Sequence, residues 1–143
     1  AVGWCLVGNS WYYMSESGVM VTGWLNLNGN WYYMKPSGSM AVGWCLVGNS
    51  WYYMSESGAM VTGWLNLNGN WYYMRPSGAM AVGWCLVGNN WYYMAESGVM
   101  VTGWLNLNGT WYYMGNDGAM LTGTHIINGN TYVFNQDGVW ISD

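Results

Sequence analysis

An all-β fold is expected from this sequence, and more narrowly a β-solenoid of stacked two-stranded hairpins, about one per 20-residue repeat. Tryptophan gives the first indication. Trp4, Trp11, Trp24, Trp31, Trp44 and Trp51, and so on to Trp104 and Trp111, alternate gaps of seven and thirteen residues. The second is turn chemistry: strand-favouring Thr, Val, Trp and Tyr flank Gly8-Asn9 in odd copies and Asn28-Gly29 in even ones. These pairs tolerate the positive φ angles of two-residue hairpin turns. The third is that no segment shows helical periodicity.

The copies run 1–20, 21–40, 41–60, 61–80, 81–100 and 101–120, followed by a divergent cap repeat, 121–143. Odd copies resemble AVGWCLVGNSWYYMSESGVM and even copies VTGWLNLNGNWYYMKPSGSM. So short a unit cannot bury its own apolar face, and stability must come from stacking neighbours. One elongated repeat domain, 1–143, without a single central core, is therefore expected. The Ser-Glu-Ser-Gly, Lys-Pro-Ser-Gly and Arg-Pro-Ser-Gly stretches read as turns joining successive hairpins.

With Gly8-Asn9 as the turn, Val7 faces Ser10, Leu6 faces Trp11, Cys5 faces Tyr12 and Trp4 faces Tyr13. Opposed residues share a face and successive ones alternate. Trp4, Leu6, Trp11 and Tyr13 thus project to one side, and Cys5, Val7, Tyr12 and Met14 to the other. The second set reads as the face packed along the array. The first gathers two indoles and a phenol with no charged residue, either as packing between hairpins or as a ligand pocket. Repeat seven bears on that choice. Thr124, Thr131 and Val133 replace the three aromatics of the first face, whereas Ile127, Tyr132 and Phe134 keep the other largely apolar, with His125 for Cys or Leu.

Composition excludes several classes. Aromatic residues make up 19% of the chain and charged residues 6%, and all charges but Asp143 fall in the linking turns. The net charge of −4 is a property of those turns. Two basic residues cannot neutralise a phosphate backbone, so nucleic acid is not an expected partner. Glycine interrupts the chain too often for a spanning helix, the strands are too short for a membrane barrel, and no signal peptide pattern is visible. The chain begins within a full-strength repeat, as a piece of a longer protein would. Cys5, Cys45 and Cys85 recur at forty-residue spacing, which suits neither a disulfide framework nor a metal site and reads as small buried hydrophobes. No metal, cofactor or catalytic residue is expected. Ser, Asp and Glu lie in loops, His125 stands alone in the cap, and any enzymatic activity belongs to a domain outside this chain.

The pattern GW-x6-WYYM-x3-G-x-M-x-TGW resembles the choline-binding repeat (cell-wall-binding repeat) of streptococcal and pneumococcal surface proteins, autolysins and phage lysins. The likeness is strong in repeats one to six and weaker in the seventh. It implies hairpins rotated about a third of a turn from one to the next. It also implies recognition of choline or phosphocholine on wall teichoic acids, and a secreted protein held non-covalently to the bacterial wall or released with a phage lysin. In that family a site lies between adjacent repeats, formed by both Trp of one hairpin with the second Tyr and a nearby Met of the next. The sites so implied are Trp4, Trp11, Tyr33 and Met40; Trp24, Trp31, Tyr53 and Met60; Trp44, Trp51, Tyr73 and Met80. Two more are Trp64, Trp71, Tyr93 and Met100, and Trp84, Trp91, Tyr113 and Met120. A sixth has Trp104 and Trp111 but meets Val133 in place of Tyr, with Trp140 as a candidate wall. Leu6, Leu46 and Leu86 depart from the family, which often has a polar residue there.

A quaternary ammonium has no N–H to donate, so aromatic faces suit it through cation–π attraction and methyl contact. Weak single sites along a phosphocholine-bearing polymer would gain by effective concentration, on the order of 10²–10⁴-fold. Two other classes fit the same aromatics. Indole faces also stack on sugars, as in a glucan-binding repeat. Exposed aromatics also drive assembly, a homodimer included, as in a scaffold module.

Overall fold

The computed structural model describes residues 2–142. Its elements are strands arranged as hairpins, one to each repeat. These are β1 (Gly3–Val7) with β2 (Ser10–Met14), β3 (Gly23–Leu27) with β4 (Asn30–Met34), β5 (Gly43–Val47) with β6 (Ser50–Met54), and β7 (Gly63–Leu67) with β8 (Asn70–Met74). There follow β9 (Gly83–Val87) with β10 (Asn90–Met94), β11 (Gly103–Leu107) with β12 (Thr110–Met114), and β13 (Gly123–Ile127) with β14 (Asn130–Phe134). Strand β15 (Trp140–Ser142) adds a third strand beside β14. The all-β, one-hairpin-per-repeat expectation is what the chain adopts. Among the described residues no helix is long and apolar enough to cross a membrane.

The register is the one the two-residue turns dictate. Val7 pairs with Ser10, Leu6 with Trp11, Cys5 with Tyr12 and Trp4 with Tyr13. Odd and even turns differ in type. Asn28 and Gly29 have φ of 55° and 88°, the two positive angles of a type I′ turn, whereas Gly8 supplies a φ of 63° at the first position, as type II′ requires.

The described residues divide into two compact units: Ala1–Leu65 with Met74–Met80, and Asn66–Tyr73 with Ala81–Asp143. In each, two-stranded hairpins too small to be stable alone are tied to their neighbours. In the first unit the Met40 N–H donates to the Trp11 carbonyl at 2.7 Å, and the Met60 N–H to that of Trp31 at 2.8 Å. In the second the Met120 N–H donates to the Trp91 carbonyl at 2.8 Å. From the second hairpin on, the last residue of each hairpin's second strand is buried in the core. Met34, Met54 and Met74 in the first unit and Met94 and Met114 in the second are fully buried, each worth roughly 1.5–3 kcal/mol of apolar burial. Phe134 takes the same position in the last hairpin. Unbranched Met suits a narrow interior that its flexible thioether can fill.

Cys85 is buried with Ala81 and Met94, and Tyr73, Val87, Tyr92 and Met100 pack around them. Burial pushes the Cys45 thiol up, partly offset by the Lys35 ammonium. The effect disfavours the reactive thiolate. In the cap the His125 Nε2–H donates to the Thr122 carbonyl at 2.7 Å.

Candidate functional site

Alternation along a strand gives every hairpin two chemically distinct faces, and stacking sets them against different neighbours. The face bearing Trp4 and Trp11 turns forward, toward the next hairpin. The ring centroids of Trp4 and Trp11 are 6.3 Å apart at 88°, two walls of a corner. Tyr13, across the strand pair, braces Trp4 from within the same hairpin at 5.1 Å. Tyr32 of the second hairpin comes up on the other side of Trp4, at 5.2 Å and 70°.

The result is an open pocket of about 370 Å³, lined by Trp4, Trp11, Tyr32, Met40, Glu56 and Ser57. A second, also about 370 Å³, is lined by Trp24, Trp31, Tyr52, Met60, Pro76 and Ser77. The second unit holds a third, of about 340 Å³, lined by Trp84, Trp91, Tyr112, Met120, Gln136 and Asp137. These volumes are at the small end of the range for ligand pockets. The indoles are available to a ligand: Trp11 is 41% exposed and Trp91 42%. Among the described residues no group of three or more His, Cys, Asp or Glu could hold a metal ion.

The structure thus brings together Trp4, Trp11 and Met40, then Trp24, Trp31 and Met60, then Trp84, Trp91 and Met120. It does not bring Tyr33, Tyr53 or Tyr113 to these pockets. Their places are taken by the first tyrosine of each pair, Tyr32, Tyr52 and Tyr112. The reason is parity. Adjacent strand residues point to opposite faces, and a pocket between stacked layers needs the forward face of one hairpin and the backward face of the next. Tyr33 is on the forward face of its own hairpin, where it braces Trp24 at 5.0 Å. Tyr113 braces Trp104 in the same way at 5.0 Å.

The two remaining sets each draw residues from both units. Trp44, Trp51 and Met80 belong to the first unit, with Trp44 and Trp51 forming the same corner at 6.4 Å and Tyr53 bracing Trp44 at 5.1 Å. Trp64 belongs to the first unit, and Trp71, Tyr73, Tyr93 and Met100 to the second.

The sixth set follows the same parity. Val133 lies on the forward face of its hairpin, opposite Thr124. Tyr132 faces Trp104 at 4.9 Å, and Trp104 meets Trp111 at 6.0 Å. Trp140 occupies the repeat position of Met40 and Met120, 6.2 Å from Trp104 and 6.1 Å from Tyr132. Its Nε1–H donates to the Ser142 carbonyl at 2.8 Å, which orients the ring.

Two features went unread in the sequence. One is the first tyrosine, which repeat seven signals by keeping Tyr132 while losing the second. The other is the linking turn two hairpins on, which supplies Glu56 and Ser57, Pro76 and Ser77, or Gln136 and Asp137 to a pocket rim.

Stacked hairpins with open aromatic pockets between neighbours define a repeat module of aromatic pockets. Comparison with known proteins gives that class its family. The choline-binding repeat model matches residues 1–43, 21–63, 41–83, 61–102 and 81–124, and the chain belongs to that family. Among solved structures it is similar to choline binding protein F of Streptococcus pneumoniae, crystallised with a peptidoglycan analogue. The identity is 45% and the TM-score 0.93, over 99% of this chain and 47% of that one. It is similar also to CbpJ of Streptococcus pneumoniae, at 45% identity and a TM-score of 0.91 over 99% of this chain and 48% of the other. The pneumococcal cell-wall endolysin of phage Cp-1, solved with choline, is 36% identical with a TM-score of 0.61, over 85% of this chain and 37% of that one. The chain spans just under half the length of the first two. No curated protein sequence matches.

Proposed function

We propose that this chain is a non-catalytic cell-wall-binding module that takes up choline and phosphocholine of teichoic acids in its aromatic cages, holding the polymer by avidity. The observation that carries the reading is the wall chemistry. Two perpendicular indoles, a phenol and a thioether offer π faces and polarisable surface, and the residues deepest in the cage carry no formal charge. A trimethylammonium group has no N–H to donate, so it gains most from such faces, on the order of 2 kcal/mol when desolvated. Neutral sugars would look instead for polar side chains around the stacked ring.

The proposed ligand residues follow the geometry: Trp4, Trp11, Tyr32 and Met40; Trp24, Trp31, Tyr52 and Met60; Trp84, Trp91, Tyr112 and Met120. Trp104, Trp111, Tyr132 and Trp140 form a further cage. That the solved endolysin was complexed with choline supports the ligand. A surface protein or phage lysin is the natural setting, with any hydrolase in another domain.

The test is a titration of the purified chain with choline and, separately, with glucan oligomers. Millimolar choline should change tryptophan fluorescence and raise the melting temperature by mass action. A chain that responds to glucan and ignores choline would overturn the proposal.

A further inference from the structure

The first, second and fifth cages each draw on three hairpins. The linking turn that forms the rim comes from the hairpin after next, and a glycine sets its height. Gly58 stands directly against the Met40 thioether with no room for a Cβ, at a φ of 91°. Gly78 stands against Met60, and Gly138 against Met120, in the same way. Hydrogen bonds close the turns: the Gly58 N–H donates to the Ser55 carbonyl at 2.8 Å and the Gly78 N–H to that of Arg75 at 2.6 Å. The residues between are thereby held over the pocket, not left free in solvent.

The rims differ where the cages do not. The first cage has Glu56 and Ser57 and the fifth has Gln136 and Asp137, so each presents one carboxylate. The second has Pro76 and Ser77, and the residue before Pro76 is the cation Arg75. The aromatic walls treat the bare trimethylammonium of choline and that of phosphocholine alike. A rim carboxylate does not: it attracts the net cation and repels the phosphate that phosphocholine carries beside it.

We infer that the rim turn sets the charge preference of each cage. The Glu56 and Asp137 rims favour bare quaternary cations, and the Pro76 rim favours phosphorylated cholines. This rests on the cages binding choline at all. Because the rim groups are solvent-exposed, their effect is that of a surface ion pair, about two- to fivefold in affinity. The cage then sets whether a ligand binds, and the rim which form is preferred.

The experiment is a pair of crystal soaks of the full chain at sub-saturating choline and at sub-saturating phosphocholine, with occupancies refined cage by cage. Choline should fill the first cage ahead of the second, and phosphocholine should shift the ratio toward the second. Glu56→Gln should abolish the first cage's preference for choline, and Pro76→Glu should give the second cage that preference. Raising the soak to about 1 M salt, where the Debye length is about 3 Å, should flatten the differences. Filled cages whose occupancy ratios ignore ligand and variant would overturn the rim inference and leave choline binding intact. Cages empty of both ligands would overturn the choline reading and the rim inference with it.

Discussion

Hairpins six and seven share a turn, a register and a buried backward face, and differ in what they offer forward. On the backward side, Tyr112 reaches Trp84 at 5.0 Å and Tyr132 reaches Trp104 at 4.9 Å. Met114 and Phe134 fill the interior in the same position. On the forward side, Trp104, Trp111 and Tyr113 of the sixth hairpin give way to Thr124, Thr131 and Val133 of the seventh. A hairpin is therefore two half-sites. The backward half completes the preceding cage and carries the core, and the forward half opens the next cage. The last repeat keeps the first and drops the second.

The comparison predicts a steep contrast in stability between backward-facing and forward-facing positions. Met94, at the backward-facing end of β10, is fully buried in the second unit, so Met94→Ala should cost roughly 2–5 kcal/mol. Ile126 in the last hairpin is 74% exposed and paired with Thr131 on its forward face. Ile126→Ala should change stability by no more than about 0.5 kcal/mol. Chemical denaturation of both variants checks this. Equal losses would mean that the forward face is packed in solution and is no open half-site.

A sharper test sets two neighbours apart. Tyr112 and Tyr113 differ by one position and, by strand parity, serve different cages. Tyr112→Ala should weaken choline at the Trp84–Trp91 cage by about 30-fold, one desolvated cation–π wall. Tyr113→Ala should leave that cage nearly unchanged and loosen Trp104, which it braces. Cage-resolved occupancy in crystals soaked with choline reads both effects. The reverse result would restore the second tyrosine as the closing wall and refute the two-half-site picture.

Much of this was legible in the sequence, because period and parity are local. The seven-residue Trp spacing spans a two-residue turn and forces Trp4 and Trp11 onto one face, and the turn pairs fixed the register. The tyrosine that lines the pockets differs from the one expected because one hairpin's pairing says nothing about which face meets which neighbour. Tyr32 and Tyr33 are equivalent until stacking distinguishes them. Repeat seven held the distinguishing signal, since it keeps Tyr132 and loses its partner at Val133. The rim turns could not be read at all. That Glu56 overlooks a pocket begun at Trp4 depends on how three hairpins stack and on the room that Gly58 leaves beside Met40.

The finest distinction lies in the cage behind hairpin seven, where Trp140 stands in for methionine. A thioether offers a methyl-bearing quaternary ammonium polarisable contact, while an indole adds the quadrupole attraction that makes Trp the strongest cation–π partner. The Nε1–H bond to Ser142 holds the ring in place, so little of that gain is lost to ordering it. Trp140→Met should make this cage a copy of its predecessor and weaken choline there by about fivefold, with the other cages unaffected. Trp140→Phe, which keeps a π face, should recover most of the loss. If Met and Phe behave alike, the indole serves packing against Trp104 and Tyr132 and adds nothing to this pocket's hold on a cation.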